Sequence, residues 1–130
     1  MQYVLDRQRD QPDLESLILC GSPASMIRWV SDCTELLAEE TEQTRRVIRE
    51  HEAAGFTGCR LPEIGVRTLL VGGRYDECTP GHLADMHARI AGSELVTIED
   101  ASHLCFAEQP AEFNQAINRF FDRTEAATRP

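Results

Sequence analysis

The chain has 130 residues, 42% hydrophobic and 27% charged, a balance that suits one globular domain and excludes wholesale disorder. Twenty-two acidic residues stand against thirteen basic ones, all of them arginine, giving a net charge of −9 that repels phosphate backbones and excludes a nucleic-acid partner. No apolar run approaches the roughly 20 residues of a membrane span.

Met1-Gln2-Tyr3-Val4-Leu5-Asp6-Arg7 has no basic region leading into an apolar core, so no secretion signal and a cytoplasmic location are expected. The five cysteines (Cys20, Cys33, Cys59, Cys78, Cys105) are odd in number and show no Cys-x-x-Cys spacing, which reads as free thiols. Leu14-Glu15-Ser16-Leu17-Ile18-Leu19-Cys20 is a buried strand stopped by Gly21-Ser22-Pro23. After Ser25, a natural N-cap, Met26, Trp29, Val30, Cys33, Leu36 and Leu37 share one helical face. A polar helix follows over 42–54, closed by Gly55, and residues 56–62 read as a linker.

Val66-Arg67-Thr68-Leu69-Leu70-Val71 is the second strand, running into Gly72-Gly73. Thr79-Pro80 supplies a cap and a first-turn proline for a helix carrying Leu83, Met86 and Ile90, with Gly92 beyond it. Glu94-Leu95-Val96-Thr97-Ile98 is the third strand. Pro110 opens a last helix with Phe113, Ile117, Phe120 and Phe121 inward, and the tail after Arg123 is expected to fray. Near-continuous apolar strands alternating with helices imply an α/β fold, a parallel sheet covered on both faces.

Parallel strands deliver the loops after strands two and three to one carboxyl edge, where open α/β sheets hold their functional groups. Asp76 lies in the first loop and His103 in the second, 27 residues apart, one strand–helix–strand step. A carboxylate beside an imidazole there would fix its tautomer and stabilise its charged form. Asp76 read alone is a turn residue ahead of the Pro80 helix, and Glu77 a solvated neighbour. Cys78, His82, His87 and Cys105 match no common zinc spacing, so neither a metal nor an organic cofactor is expected.

Gly73-Arg74-Tyr75-Asp76-Glu77-Cys78-Thr79-Pro80 resembles the acid loop of α/β-hydrolases, and Ala101-Ser102-His103-Leu104-Cys105-Phe106-Ala107-Glu108-Gln109-Pro110 resembles their histidine loop. Ser16-Leu17-Ile18-Leu19-Cys20-Gly21-Ser22-Pro23-Ala24-Ser25-Met26, Trp29 and His51-Glu52-Ala53-Ala54-Gly55 are similar to the proline iminopeptidase group. The resemblance implies a partial α/β-hydrolase fold: one truncated domain over 1–130 of about three parallel strands with flanking helices, and a shortened helical cap at 26–55. It implies Asp76 as the acid and His103 as the general base of a Ser–Asp–His triad in a serine peptidase.

The family's serine sits on a Gly-x-Ser-x-Gly elbow upstream of the acid. The 130 residues contain no such elbow, and Gly21-Ser22-Pro23-Ala24-Ser25 lacks the second glycine and follows the wrong strand. Met1-Gln2-Tyr3-Val4-Leu5 resembles the helix behind the elbow, which places the serine roughly ten residues upstream of Met1. The resemblance therefore implies a C-terminal half, inactive alone, that would act on a small peptide once completed by the half carrying the serine. A non-catalytic interaction module, or half of a split hydrolase, is the alternative, with self-association or a partner at an exposed sheet edge.

Overall fold

The computed structural model describes residues 14–22 and 60–128. In chain order these form β1 (Ser16–Cys20), a 3-10 turn (Leu61–Glu63), β2 (Arg67–Gly73), α1 (Pro80–Arg89), β3 (Glu94–Ile98), α2 (Cys105–Glu108) and α3 (Pro110–Thr128). The helices expected over 26–37 and 42–54, the cap assigned to 26–55 and the segment before residue 14 lie outside the described residues.

The strands form one parallel sheet in the order β1-β2-β3. Side chains of a strand alternate between faces, so each strand feeds two layers. Leu17 and Leu19, Leu70 and Leu95 pack with Leu83, Met86 and Ile90 from α1 and its C-cap, together with Leu61 and Ile64. Ile18 and Cys20, Leu69 and Val71, and Val96 and Ile98 pack instead with Cys105 and with Phe113, Ile117 and Phe120 of α3. The apolar runs thus read correctly as a sheet with helices on both faces.

Register sets the level of the loops. Cys20 pairs with Val71 and Ile98 with Gly73, so β2 runs through both glycines, two residues beyond its expected end. Thr79 caps α1 by accepting the His82 N–H at 3.3 Å, with Pro80 in the first turn. At the other end, Ser93 Oγ donates to the Ile90 carbonyl at 2.9 Å. Glu94 is gripped by Arg67 at 3.2 Å and by Arg123, which ties β2 and β3 to α3 at the amino edge of the sheet.

Four expectations change. The linker at 56–62 ends in the 3-10 turn, whose Leu61 is buried in the α1 layer. A separate helical turn, α2, precedes the last helix. Pro110 has no N–H to continue it and disfavours a helical Gln109, which takes φ −129 and ψ 62. The tail does not fray at Arg123, because α3 runs on to Thr128 and Thr124 is buried, its Oγ1 donating to the Phe120 carbonyl. Phe121 is 44% exposed, one residue and about 100° of helical turn past buried Phe120. The inner face of α3 instead carries Phe113, Ala116, Ile117, Phe120 and Thr124.

Among the described residues no helix is long and apolar enough to cross a membrane. The face assignment of α3 is checked by two substitutions in urea unfolding. Phe120→Ala is expected to cost about 3–5 kcal/mol, whereas Phe121→Ala stays within about 1 kcal/mol. Equal losses would mean that the helix is rotated from the position described.

Candidate functional site

Three strand ends meet at the carboxyl edge of the sheet. Gly21 follows β1, the acid loop follows β2, and the histidine loop follows β3. The two loops are joined by their backbones: the Arg74 N–H donates to the Ile98 carbonyl and the Tyr75 N–H to the Ala101 carbonyl, both at 2.9 Å. At the rim, the Arg74 guanidinium pairs with Glu99 across the same two loops, which holds the Glu99 carboxyl below its ordinary range.

This approach requires glycine at 73. A Cβ there would lie 2.3 Å from the carbonyl oxygens of both Ala101 and Ser102, backbone atoms that cannot rotate away. Gly21 carries a second constraint. Its φ of +53 lies in the left-handed region, and a Cβ would sit 3.0 Å from Asp76 Oδ2 and from His103 Nδ1 and Cε1. The strand ends therefore leave just enough room for one carboxylate and one imidazole above them.

Asp76 and His103 fill that space. Asp76 Oδ1 is 3.0 Å from His103 Nδ1 and accepts the Cys78 N–H at 2.9 Å. The turn reading of Asp76 and its pairing with histidine thus coexist on one oxygen: the backbone bond fixes the carboxylate, and the fixed carboxylate holds the ring. Asp76 Oδ2 is buried over Gly21 and Gly72, with no hydrogen-bond partner among the described residues. The acid side chain is wholly buried while that of His103 is 53% exposed.

A carboxylate can only accept, so Nδ1 carries the proton and Nε2 keeps the lone pair of the neutral ring. The hydrogen bond donated to Asp76 holds the imidazole pKa above its ordinary 6.5; burial opposes this, and the charges of Asp76 and Glu77 add to it. With half the ring in water, the pair is worth at most about 1 kcal/mol to folding. Orientation and basicity are its chemical contribution.

Two thiols lie beneath the site. Cys20 Sγ and Cys105 Sγ are 3.8 Å apart, and the two form no disulfide. Burial, then the neighbouring Cys105, push the Cys20 thiol up to about 12, and burial also raises Cys105. Neither is a thiolate at neutral pH. Among the described residues, no three His, Cys, Asp or Glu side chains converge as a metal cluster would require.

Comparison with known proteins follows the same lines. A family model described as the alpha/beta hydrolase family matches residues 5–116. The chain belongs to that family. It is 36% identical over 64 residues to a proline iminopeptidase of Saccharolobus solfataricus, covering 49% of this chain and 21% of that protein. It is 33% identical over 66 residues to a proline iminopeptidase of Lactobacillus acidophilus, covering 51% and 22%. The matched stretch spans about a fifth of the length of these curated relatives.

Among solved structures, the proline iminopeptidase of Mycobacterium smegmatis superposes with a TM-score of 0.67 at 21% identity, over 88% of this chain and 58% of that one. An enol-lactonase from Burkholderia xenovorans superposes with a TM-score of 0.59 at 20% identity, over 92% and 60%. The fold is thus a partial α/β-hydrolase fold with proline iminopeptidase-like relatives.

Both residues singled out in the sequence, Asp76 and His103, come together in the structure. Sequence reasoning missed the part Gly21 plays beneath the pair, having read it as a strand stop and in a rejected elbow look-alike, and Glu108, whose carboxylate accepts both the backbone N–H and the hydroxyl of Ser102. No periodic spacing links residues 102 and 108; the only available signal was an acidic residue just ahead of Gln109-Pro110.

The raised His103 pKa has a defined sign. The charged pair stabilises the fold fully below pH 6.5, and that contribution is lost as pH rises through the higher folded-state midpoint. Urea unfolding of the unmodified chain and of His103→Ala should therefore differ most below pH 6.5, with the gap narrowing at alkaline pH. A gap that widens with pH would reverse the assignment of charge.

Proposed function

We propose that Asp76 and His103 are the acid and the general base of a Ser–Asp–His triad in a proline iminopeptidase-like serine peptidase. The observation that carries this reading is the 3.0 Å contact between a wholly buried carboxylate and a half-exposed imidazole at the carboxyl edge of the sheet. Asp76 keeps the proton on Nδ1, and His103 Nε2 takes the proton of a serine hydroxyl as that oxygen attacks the carbonyl carbon of a peptide bond. The same nitrogen then returns the proton to the leaving amine. The substrate class is a small peptide with a free amino end, and no cofactor enters the steps.

In this reading the serine and the oxyanion-hole amides are not among the 130 residues, and His103 alone has nothing to activate. Residual catalysis after loss of a triad member, roughly 10³–10⁴-fold over water, comes from the oxyanion hole and substrate binding. The chain by itself is therefore inactive. A split hydrolase, or a non-catalytic module docking by its sheet edge, is favoured by one further observation: β1 ends the row of described strands. Such an edge can pair with a second polypeptide.

Two assays test the proposal on prolyl and short-chain ester chromogenic substrates. The purified chain is expected to turn over neither faster than His103→Ala. Activity that His103→Ala abolishes would place a nucleophile within the chain and overturn the account of the serine. Co-expression with the serine-bearing N-terminal part of a proline iminopeptidase is expected to give activity that Asp76→Asn lowers by about 10⁴. Activity in that complex untouched by Asp76→Asn would remove Asp76 from the triad.

A further inference from the structure

The peptide unit between Ala101 and Ser102 is held from both sides. Its carbonyl accepts the Tyr75 N–H of the acid loop at 2.9 Å. Its N–H donates to Glu108 Oε2, and the Ser102 hydroxyl donates to Glu108 Oε1 at 2.7 Å. Gln109 Nε2 adds a bond to the Asp100 carbonyl at 3.3 Å, so the end of α2 and the residue after it grip the loop at Ser102 and at Asp100. His103 is the next residue after this clamped unit.

We propose that Glu108 is a positioning residue for His103, acting through Ser102 to hold the imidazole on Asp76. The proposal rests on the reading of His103 as the general base, a role that needs its ring held in one direction. The ring is half exposed and its single described anchor is Asp76 Oδ1, so its direction depends on the backbone that carries it. One rotation about the Ser102 backbone would swing Cβ of His103 and break a 3.0 Å contact. Tyr75 and Glu108 fix the preceding peptide plane from its two ends, and the Ser102 hydroxyl on Glu108 restrains rotation about the Ser102 N–Cα bond that follows it.

A carboxylate suits this task better than an amide. Two donors, one N–H and one O–H, approach two acceptor oxygens, and both bonds lower the Glu108 pKa, as expected for a carboxylate held in its charged form. A glutamine would offer one oxygen and turn an NH₂ group toward the second donor. Serine at 102 and glutamate at 108 thus form a matched pair across the six-residue step that contains His103 and begins α2.

The test reads the imidazole directly, by proton and nitrogen-15 NMR of the full chain across a pH titration. In the unmodified chain the His103 midpoint is expected above 6.5, with Nδ1 protonated in the neutral ring. Asp76→Asn defines the full loss of that shift. Glu108→Ala is expected to move the midpoint most of the way toward the Asp76→Asn value and to mix the tautomers. Glu108→Gln and Ser102→Ala, each keeping one of the two bonds, should fall between.

Ser102→Ala leaves the Glu108 charge in place, so its shift cannot come from removing a negative neighbour. If Glu108→Ala does not fold, the two milder variants carry the test. A His103 midpoint and tautomer unchanged in all of these variants would overturn the proposal. The readout needs no turnover. A failed reconstitution assay with shifted midpoints would sink the peptidase reading and leave the positioning role standing, and unchanged midpoints with restored activity would do the reverse.

Discussion

The loops after β2 and β3 touch backbone to backbone, and everything at the carboxyl edge of the sheet depends on that contact. Gly73 makes it sterically feasible, since any side chain there would overlap the Ala101 and Ser102 carbonyls. Overpacking against atoms that cannot move costs about 1–3 kcal/mol even where a core can relax. The two N–H groups that cross the seam, from Arg74 and Tyr75, satisfy carbonyls at the end of β3 and in the histidine loop that burial would otherwise leave unmatched. A sheet register placing Gly73 beside Ile98 brings Asp76 and His103 to the same height, three and five residues further along.

On that platform the two ionisable groups occupy unlike environments. Asp76 is buried, fixed by the Cys78 N–H and walled by Gly21 and Gly72, so its position is set by the fold alone. His103 is half in water and takes its orientation from Asp76 and from the loop that carries it. A fixed acid beneath an accessible base is what general-base chemistry requires, because the acid holds the tautomer while the far nitrogen stays open. The raised imidazole pKa also sets when the ring can accept a proton, which is only above its midpoint.

Much of this could be read from the residues. The first two strands are near-continuous apolar runs ended by glycine, and Thr79-Pro80 marks a helix start through two independent signals. The 27-residue step between Asp76 and His103 is one crossover long, so their meeting followed from parallel topology. Phe121 misled because an aromatic next to a buried aromatic adds to apolar periodicity whichever way it faces, and only the packing of α3 on the sheet decides between them. Leu61 was hidden in a segment whose composition signals a loop, and its burial comes from contact with α1, far along the chain. Gly21, Gly73 and Glu108 act through tertiary contacts across loops, for which no local period exists.

The thiols under the site bear on how the proposed chemistry is divided. Cys20 ends β1 and Cys105 begins α2, two residues after His103, so two sulfurs sit on the elements that flank the Asp76–His103 pair. Burial keeps both protonated, with Cys105 pushing Cys20 further, up to about 12, and a thiol in that state attacks carbonyls poorly. Asp76 raises both further, since a buried negative charge disfavours a second one nearby. The same carboxylate that makes His103 a better base therefore suppresses the thiolates beside it. In the proposed triad this separation favours a hydroxyl nucleophile, which stays neutral until His103 takes its proton.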